Sequence, residues 1–242
     1  MEIKGKNALV TGGARGIGRA VVLALAQKGA NVGINYVNNQ QAVLETHQIA
    51  SKYSVRAEIF RADVANYDDV KRMVSEFVKK FGRIDILVNN AGVFPRNFRL
   101  AEISEDEWDW LININLKGAF LVSKEALKYM PGGGKIINIS SIAGKMGGVA
   151  GPHYAASKAG LIGLTFALAS EFAFKNIAVN AVAPGPVDTE MIPDDIKEKL
   201  AQITPLGRIA TPEEIAHTVI FLIENDYITG EVVDINGGRY MD

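Results

Sequence analysis

Tyr154 and Lys158 stand four residues apart in the stretch HYAASK, with only Ala155, Ala156 and Ser157 between them. On a helix that spacing places both side chains on one face, one turn apart. A phenol beside an ammonium can move protons. The free phenol has a pKa of about 10. A Lys cation about 4 Å away stabilises the phenolate by about 4 kcal/mol at an effective dielectric near 20, or about three pKa units. Burial penalises phenolate and ammonium alike, so about 7 is the lowest value the pair can reach. A group that titrates near the working pH is what general acid-base catalysis requires. The pair alone has a plain alternative, because any helix can carry a Tyr and a Lys one turn apart without using them. The rest of the chain has to separate the two readings.

A second set of candidates lies in TGGARGIG, residues 11–18, between the apolar run NALV and a helix-period segment from about Gly16 to Lys28 that Gly29 closes. In that setting glycines let the backbone turn tightly and approach a pyrophosphate, whose charge meets the positive end of the helix. A strand-to-helix turn without ligand is the other reading. A triphosphate P-loop is excluded, since it needs Lys and then Ser or Thr after the last glycine, and Arg19 and Ala20 follow Gly18 here. NAD sites place an acidic residue about 20 positions further on, against the ribose 2'-hydroxyl. No Asp or Glu occurs between Glu2 and Glu45, and the second apolar run ends in Asn35, Tyr36 and Val37. Neutral groups remove the repulsion that a 2'-phosphate would meet, and Arg15 can supply positive charge. NADP(H) is therefore the expected dinucleotide, with Asn35 and Tyr36 beside it. Arg15 also reads as an ordinary exposed arginine.

These candidates need a scaffold. Short apolar runs recur as NALV at 7, NVGINY at 31, VRAEIF at 55, IDILVNN at 84, KIINIS at 135, IAVNAVA at 177 and EVVDI at 231, separated by helix-period segments. Near-continuous apolar strands that alternate with helices predict an α/β fold: a doubly wound, Rossmann-like parallel sheet with helices on both faces. At 242 residues, with no repeat and no flexible linker, one domain over 1–242 is expected. The alternation is interrupted between Pro184 and Thr211 by Pro193, Pro205 and the amphipathic DDIKEKLAQI. An insertion of that kind after a strand predicts a mobile substrate lid at about 186–210.

Composition narrows the function. A net charge of -1 and the absence of any large Lys/Arg cluster leave no footprint for nucleic acid. With no cysteine there is no disulfide framework or thiolate metal site, and cytoplasm is the default location. His47, His153 and His217 show no ligand spacing, so no metal is expected. The N-terminus lacks a signal-peptide pattern, and apolar stretches such as Leu161 to Ala169 fall short of the roughly 20 residues needed to span a bilayer. No G-x-S-x-G surrounds a serine, which disfavours a nucleophile-elbow hydrolase.

Taken in order, TGGARGIG at 11, NNAG at 89, NISS at 138, YAASK at 154 and PGPVDT at 184 resemble the short-chain dehydrogenase/reductase family over essentially the whole chain. Ser141 falls thirteen residues before Tyr154, at that family's spacing. The resemblance implies a catalytic set of Asn115, Ser141, Tyr154 and Lys158. Tyr154 would give a proton to a carbonyl oxygen, Ser141 would bond that oxygen, Lys158 would also bind the nicotinamide ribose, and Asn115 in NINLKG would place a water for proton relay. Gly12, Arg15, Gly16, Ile17 and Gly18 would line the diphosphate and Asp63 and Val64 the adenine. Asn89, Ala91 and Gly92 would meet the adenine ribose and neighbouring strand, and Pro184, Gly185, Val187 and Thr189 the nicotinamide end. Asp63 also reads as a cap for a helix starting near Asn66, and Asn115 as a polar helix residue.

YAASKAGLIGL, VNAVAPGPVDTEM, PLGR and ITGEVVDINGG are most similar to family members that reduce 3-oxoacyl chains held on acyl carrier protein. The resemblance thus implies a small-molecule carbonyl substrate on that carrier, which Lys128 and Lys175 could face unless they serve only solubility. After NNAG, however, the chain has VFPRNFRL, with Phe94 and Pro95 where a short polar run is common. A different alcohol, sugar or ketone stays open as substrate, as does a dinucleotide sensor without turnover. The helix from His153 to Phe174 carries LIGLTFALASEFAF, apolar nearly all round, and needs cover on more than one face. Deep burial would meet that need. So would a second subunit, as in the homotetramers the resemblance implies.

Overall fold

In the computed structural model, which describes residues 1–147 and 150–241, each apolar run forms a strand. They are β1 (Asn7–Val10), β2 (Asn31–Tyr36), β3 (Ala57–Arg61), β4 (Ile86–Asn89), β5 (Lys135–Ile139), β6 (Ala178–Pro184) and β7 (Val232–Ile235). All pair in parallel, in the order β3-β2-β1-β4-β5-β6-β7. Successive side chains of a strand point to opposite faces, and here both faces are buried. In β1, Ala8 and Val10 enter one core while Leu9 enters the other, and β4 divides Ile86 and Val88 from Leu87 in the same way. Two cores from one strand explain why these runs read as continuously apolar.

The helices are α1 (Gly16–Gln27), α2 (Gln40–Ala50), α3 (Tyr67–Phe81), α4 (Glu105–Ile112), α5 (Gly118–Ala126), α6 (Ala143–Met146), α7 (Pro152–Phe172), α8 (Asp194–Gln202) and α9 (Pro212–Glu224). Val22, Leu25, Val43, Val219 and Ile220 from α1, α2 and α9 fill the first core. Val74, Phe77, Leu121, Val122 and Ala169 from α3, α5 and α7 fill the second. The doubly wound layering expected from the sequence is the architecture found.

Strand order reverses between β1 and β4, so the loops leaving their C-terminal ends diverge and open a crevice there. Local signals set the elements around it. The cap of α3 is Asn66, whose side chain accepts from the amides of Asp68 and Asp69. Asp63 does not cap that helix; its carboxylate accepts from Ala65 N at 2.9 Å and shapes the turn beyond β3. Thr211 and Glu214 form a reciprocal capping box that starts α9, with Pro212 in its first turn.

Candidate active site

The β1–α1 turn is held in place by side chains from both neighbouring strands. Asn35 accepts from Gly12 N at 3.2 Å and donates to the carbonyl of Ala62 at 2.9 Å. Asn90 donates to the carbonyls of Thr11 and Gly12, each at 3.0 Å, while Thr11 Oγ1 accepts from the amides of Asn90 and Ala91. Gly12 has φ +62, a conformation that favours glycine. A Cβ on Gly18 would collide with the Gly12 carbonyl oxygen and with Asn90 Nδ2, so only glycine lets α1 start this close to β4. At Arg15, which opens α1, no side chain caps the helix, and its first turn carries no acidic residue. Unclaimed amides at a positive helix end are what a diphosphate needs.

Asn35 therefore has a different role from the one expected of it. It is buried, and its carboxamide is occupied by protein backbone, so it shapes the glycine turn from beneath and presents no group to a ligand. Tyr36, half-buried at the end of β2, is the residue of that pair at the crevice edge. Arg15 is exposed and pairs with Glu190 at 2.8 Å, linking the glycine turn to the segment after β6. Thr189 lies over the same turn, with its methyl 3.2 Å from where a Gly16 Cβ would sit. Val187 is buried and bridges Ala210. Pro184 ends β6, Gly185 follows it, and Val64 packs under Gly118. Asn89 is buried at the end of β4, donating to Ser123 and Asn138 at 2.9 Å each.

At the other side of the crevice the residues singled out for chemistry come together. Tyr154 and Lys158 lie on the first turns of α7, both buried. Ser141 follows β5 and accepts from Ala143 N at 3.1 Å, and its hydroxyl is the group that opposes the upward shift of the Tyr154 phenol. Ser140 donates instead to the Lys158 carbonyl at 2.9 Å and ties β5 to α7. Asn115 sits in a π-helical turn, 113–117, between α4 and α5. Its carboxamide accepts from Val93 N at 2.8 Å and donates to Val93 O at 3.0 Å. Gly92 lies between Asn115 and Lys158: a Cβ there would be 3.3 Å from Asn115 Oδ1 and 3.7 Å from Lys158 Nζ.

The electrostatics differ from expectation in one respect. Lys158 Nζ donates to the Ile139 carbonyl at 2.8 Å and stands over the Tyr154 ring, 5.7 Å from its centre. Burial is then the dominant influence. It pushes the phenol up to about 12, opposed by the Ser141 hydroxyl, and pushes the ammonium down to about 8. Without a ligand the lysine does not bring the tyrosine toward neutrality. A phenol with a raised pKa keeps its proton at neutral pH, the state a general acid needs.

Around Tyr154, Phe94 packs edge-on to its ring at 5.4 Å, and Phe98 packs on Phe94 at 5.7 Å. Motif reading did not name Glu107 as a site residue, since it is hidden among the acidic residues that open α4.

The chain belongs to the short-chain dehydrogenase/reductase family, a class of oxidoreductases. A family model described as Enoyl-(Acyl carrier protein) reductase matches residues 12–239. The 3-oxoacyl-[acyl-carrier-protein] reductase FabG of Staphylococcus epidermidis is 44% identical over 246 residues, covering 98% of this chain and 99% of that one. Among solved structures, a short-chain dehydrogenase/reductase from Serratia marcescens BCRC 10948 superposes with a TM-score of 0.94 at 37% identity, over 99% of each chain. A blue fluorescent protein from a metagenomic library, in complex with NADPH, superposes with a TM-score of 0.94 at 36% identity over the whole of both chains.

Proposed function

We propose that the protein is an NADPH-dependent carbonyl reductase whose substrate is the 3-keto group of an acyl thioester on acyl carrier protein. The observation that carries this reading is the meeting of Ser141, Tyr154 and Lys158 at the end of a crevice whose other side is an uncapped helix terminus. NADPH, when bound, supplies the hydride. The turn from Gly12 to Gly18 holds its diphosphate, Arg15 its 2'-phosphate, and Asp63, Val64 and Tyr36 border the adenine end. Asn89 to Gly92 flank the adenine ribose, and Pro184, Gly185, Val187 and Thr189 the nicotinamide. The residues fit a 2'-phosphate: no carboxylate stands at the end of β2, and the one cation of the turn is bound only by an exposed, solvent-screened partner.

Tyr154 gives its proton to the ketone oxygen while Ser141 donates a hydrogen bond to the same atom. Lys158 keeps a cation beside the phenolate that results, and Asn115, its carboxamide held by the Val93 backbone, borders the water through which the proton is replaced. General acid catalysis by a positioned group contributes typically about 10²- to 10⁴-fold. Residues 186–210 act as a lid: α8 buries no side chain, and the segment is tied down to either side of it, by the exposed Arg15–Glu190 pair and by Leu206 N on the Gly237 carbonyl at 3.1 Å.

The relatives named FabG support the acyl thioester. Of the two candidate cations for the carrier, Lys128 is neutralised by Glu125 at 2.7 Å, which leaves Lys175, packed over Phe172 and Phe174, as the better docking charge. Among the described residues no helix is long and apolar enough to cross a membrane, and the reading places the enzyme in the cytoplasm. A homotetramer is supported by α7, which buries Tyr154, Lys158, Leu161 and Thr165 on one face and leaves Ala159, Gly163, Phe166 and Ala167 exposed on another.

Loss of NADPH absorbance against a panel of acetoacetyl thioester, crotonyl thioester, sugars and simple ketones tests this reading. Turnover of the acetoacetyl thioester above the rest supports it. A preference for crotonyl thioester would move the chain to enoyl reduction, and NADPH binding without any turnover would make it a sensor.

A further inference from the structure

Glu107 is a buried carboxylate, 8% exposed, that lies on α4 and has no part in the chemistry above. It accepts from Arg96 N at 2.8 Å, from Asn97 N at 2.9 Å and from Asn97 Nδ2 at 2.6 Å. The fourth contact is His153 Nε2 at 3.4 Å. These donors, the amide of Asn97 foremost, hold its carboxyl down to about 2 despite burial. His153 is fully buried, its Nδ1 has no partner, and it immediately precedes Tyr154. One carboxylate thus joins two separate pieces of chain: the loop after NNAG and the first turn of α7.

The loop carries Phe94 and Pro95, where the sequence resemblance leads one to expect a short polar run. Phe94 and Phe98 flank the two residues that Glu107 grips, and Phe94 packs on the Tyr154 ring. The Arg96 guanidinium lies 4.7 Å over Trp110, from the same helix as Glu107. Gly151, with φ +77, brings the loop against the start of α7, since a Cβ there would sit 3.2 Å from both the Asn97 carbonyl oxygen and His153 Cε1. Free loops of this kind move; a charged acceptor with three loop donors, out of water, makes this one part of the scaffold.

We propose that Glu107 is a positioning residue that clamps the 93–99 loop to the tyrosine helix through His153, so that Phe94 and Phe98 form a fixed apolar wall beside the acid and select carbonyl substrates with an apolar chain or ring. The proposal rests on the carbonyl-reductase reading for its kinetic consequence and not for the clamp itself.

The test uses Glu107→Gln in the full chain, with His153→Asn as a milder variant that keeps the loop donors on the carboxylate. In Glu107→Gln, the ratio of kcat/KM for 3-oxodecanoyl thioester to that for acetoacetyl thioester falls about tenfold, through KM for the longer substrate, the scale expected when hydrogen bonds to a charged group are lost. KM for NADPH stays within about twofold, since the site it reports lies across the crevice. Independently of activity, trypsin cuts the folded variant after Arg96 and Arg99 about tenfold faster than wild type well below the melting temperature. His153→Asn shows the same two changes, each smaller. A lowered melting temperature with an unchanged substrate ratio and unchanged cleavage rate makes Glu107 merely structural and overturns the proposal. If wild type turns over no carbonyl compound, the reductase reading fails, and the cleavage rates alone decide the clamp.

Discussion

Lys158 lies across the ring of Tyr154, 5.7 Å from its centre, while its ammonium is held by the Ile139 carbonyl at 2.8 Å. Both groups are buried, and burial drives them apart: the phenol's pKa rises to about 12 and the ammonium's falls to about 8. Each shift favours the neutral form. Acid and cation are thus placed next to each other in a site that favours the neutral form of each.

Those shifts make stability depend on pH with opposite signs. Lys158 falls from 10.5 to about 8, so above pH 8 the unfolded chain binds the proton more tightly, and the lysine's contribution rises with pH and is lost as pH falls through 8. Tyr154 rises from 10.0 to about 12, so its contribution is full below pH 10 and is lost above it. Relative to Lys158→Met, cofactor-free wild type should gain about 2 kcal/mol between pH 8 and pH 10 in urea unfolding. A stability difference that does not change with pH would contradict the buried, depressed lysine.

Arg15 is the one cation in the glycine turn, and its bond to Glu190 is exposed on both sides. Arg15→Ala should lower the ratio of kcat/KM for NADPH to that for NADH by about tenfold, the value of one charged hydrogen bond to phosphate. Its effect on stability should stay below about 1 kcal/mol, as for other surface ion pairs. An unchanged cofactor ratio would return Arg15 to an ordinary surface residue.

Most of the sheet was legible because its central strands are buried on both faces, so IDILVNN and IAVNAVA carry the pattern in their composition. The site was legible where one local motif holds its residues, as in YAASK and TGGARGIG. It was not where tertiary neighbours decide. Asn35 reads as a polar residue at a strand end, and only the proximity of the Gly12 amide and the Ala62 carbonyl turns it inward. Glu107 reads as one of three acids favourable to a helix start, and only the incoming 96–97 backbone makes it a buried acceptor. The lowered phenol pKa expected of the Tyr–Lys pair is not found because burial, which tertiary packing decides, outweighs the pairing.

Asn35→Ala gives a direct reading of that inward role. It leaves the Gly12 amide and the Ala62 carbonyl without their partner, which should cost about 1–3 kcal/mol. The shift should appear in the urea midpoint with an unchanged slope. A loss below about 0.5 kcal/mol, the range of surface substitutions, would place the residue outside the support of the glycine turn.

The central claim is that Tyr154 delivers the proton. Single-turnover loss of NADPH absorbance on acetoacetyl thioester, wild type against Tyr154→Phe, measures it with NADPH affinity checked by fluorescence titration. The expected result is a rate at least about 100-fold lower in the variant, with affinity within about twofold. A variant that binds NADPH normally and keeps the wild-type rate would show that the proton comes from elsewhere.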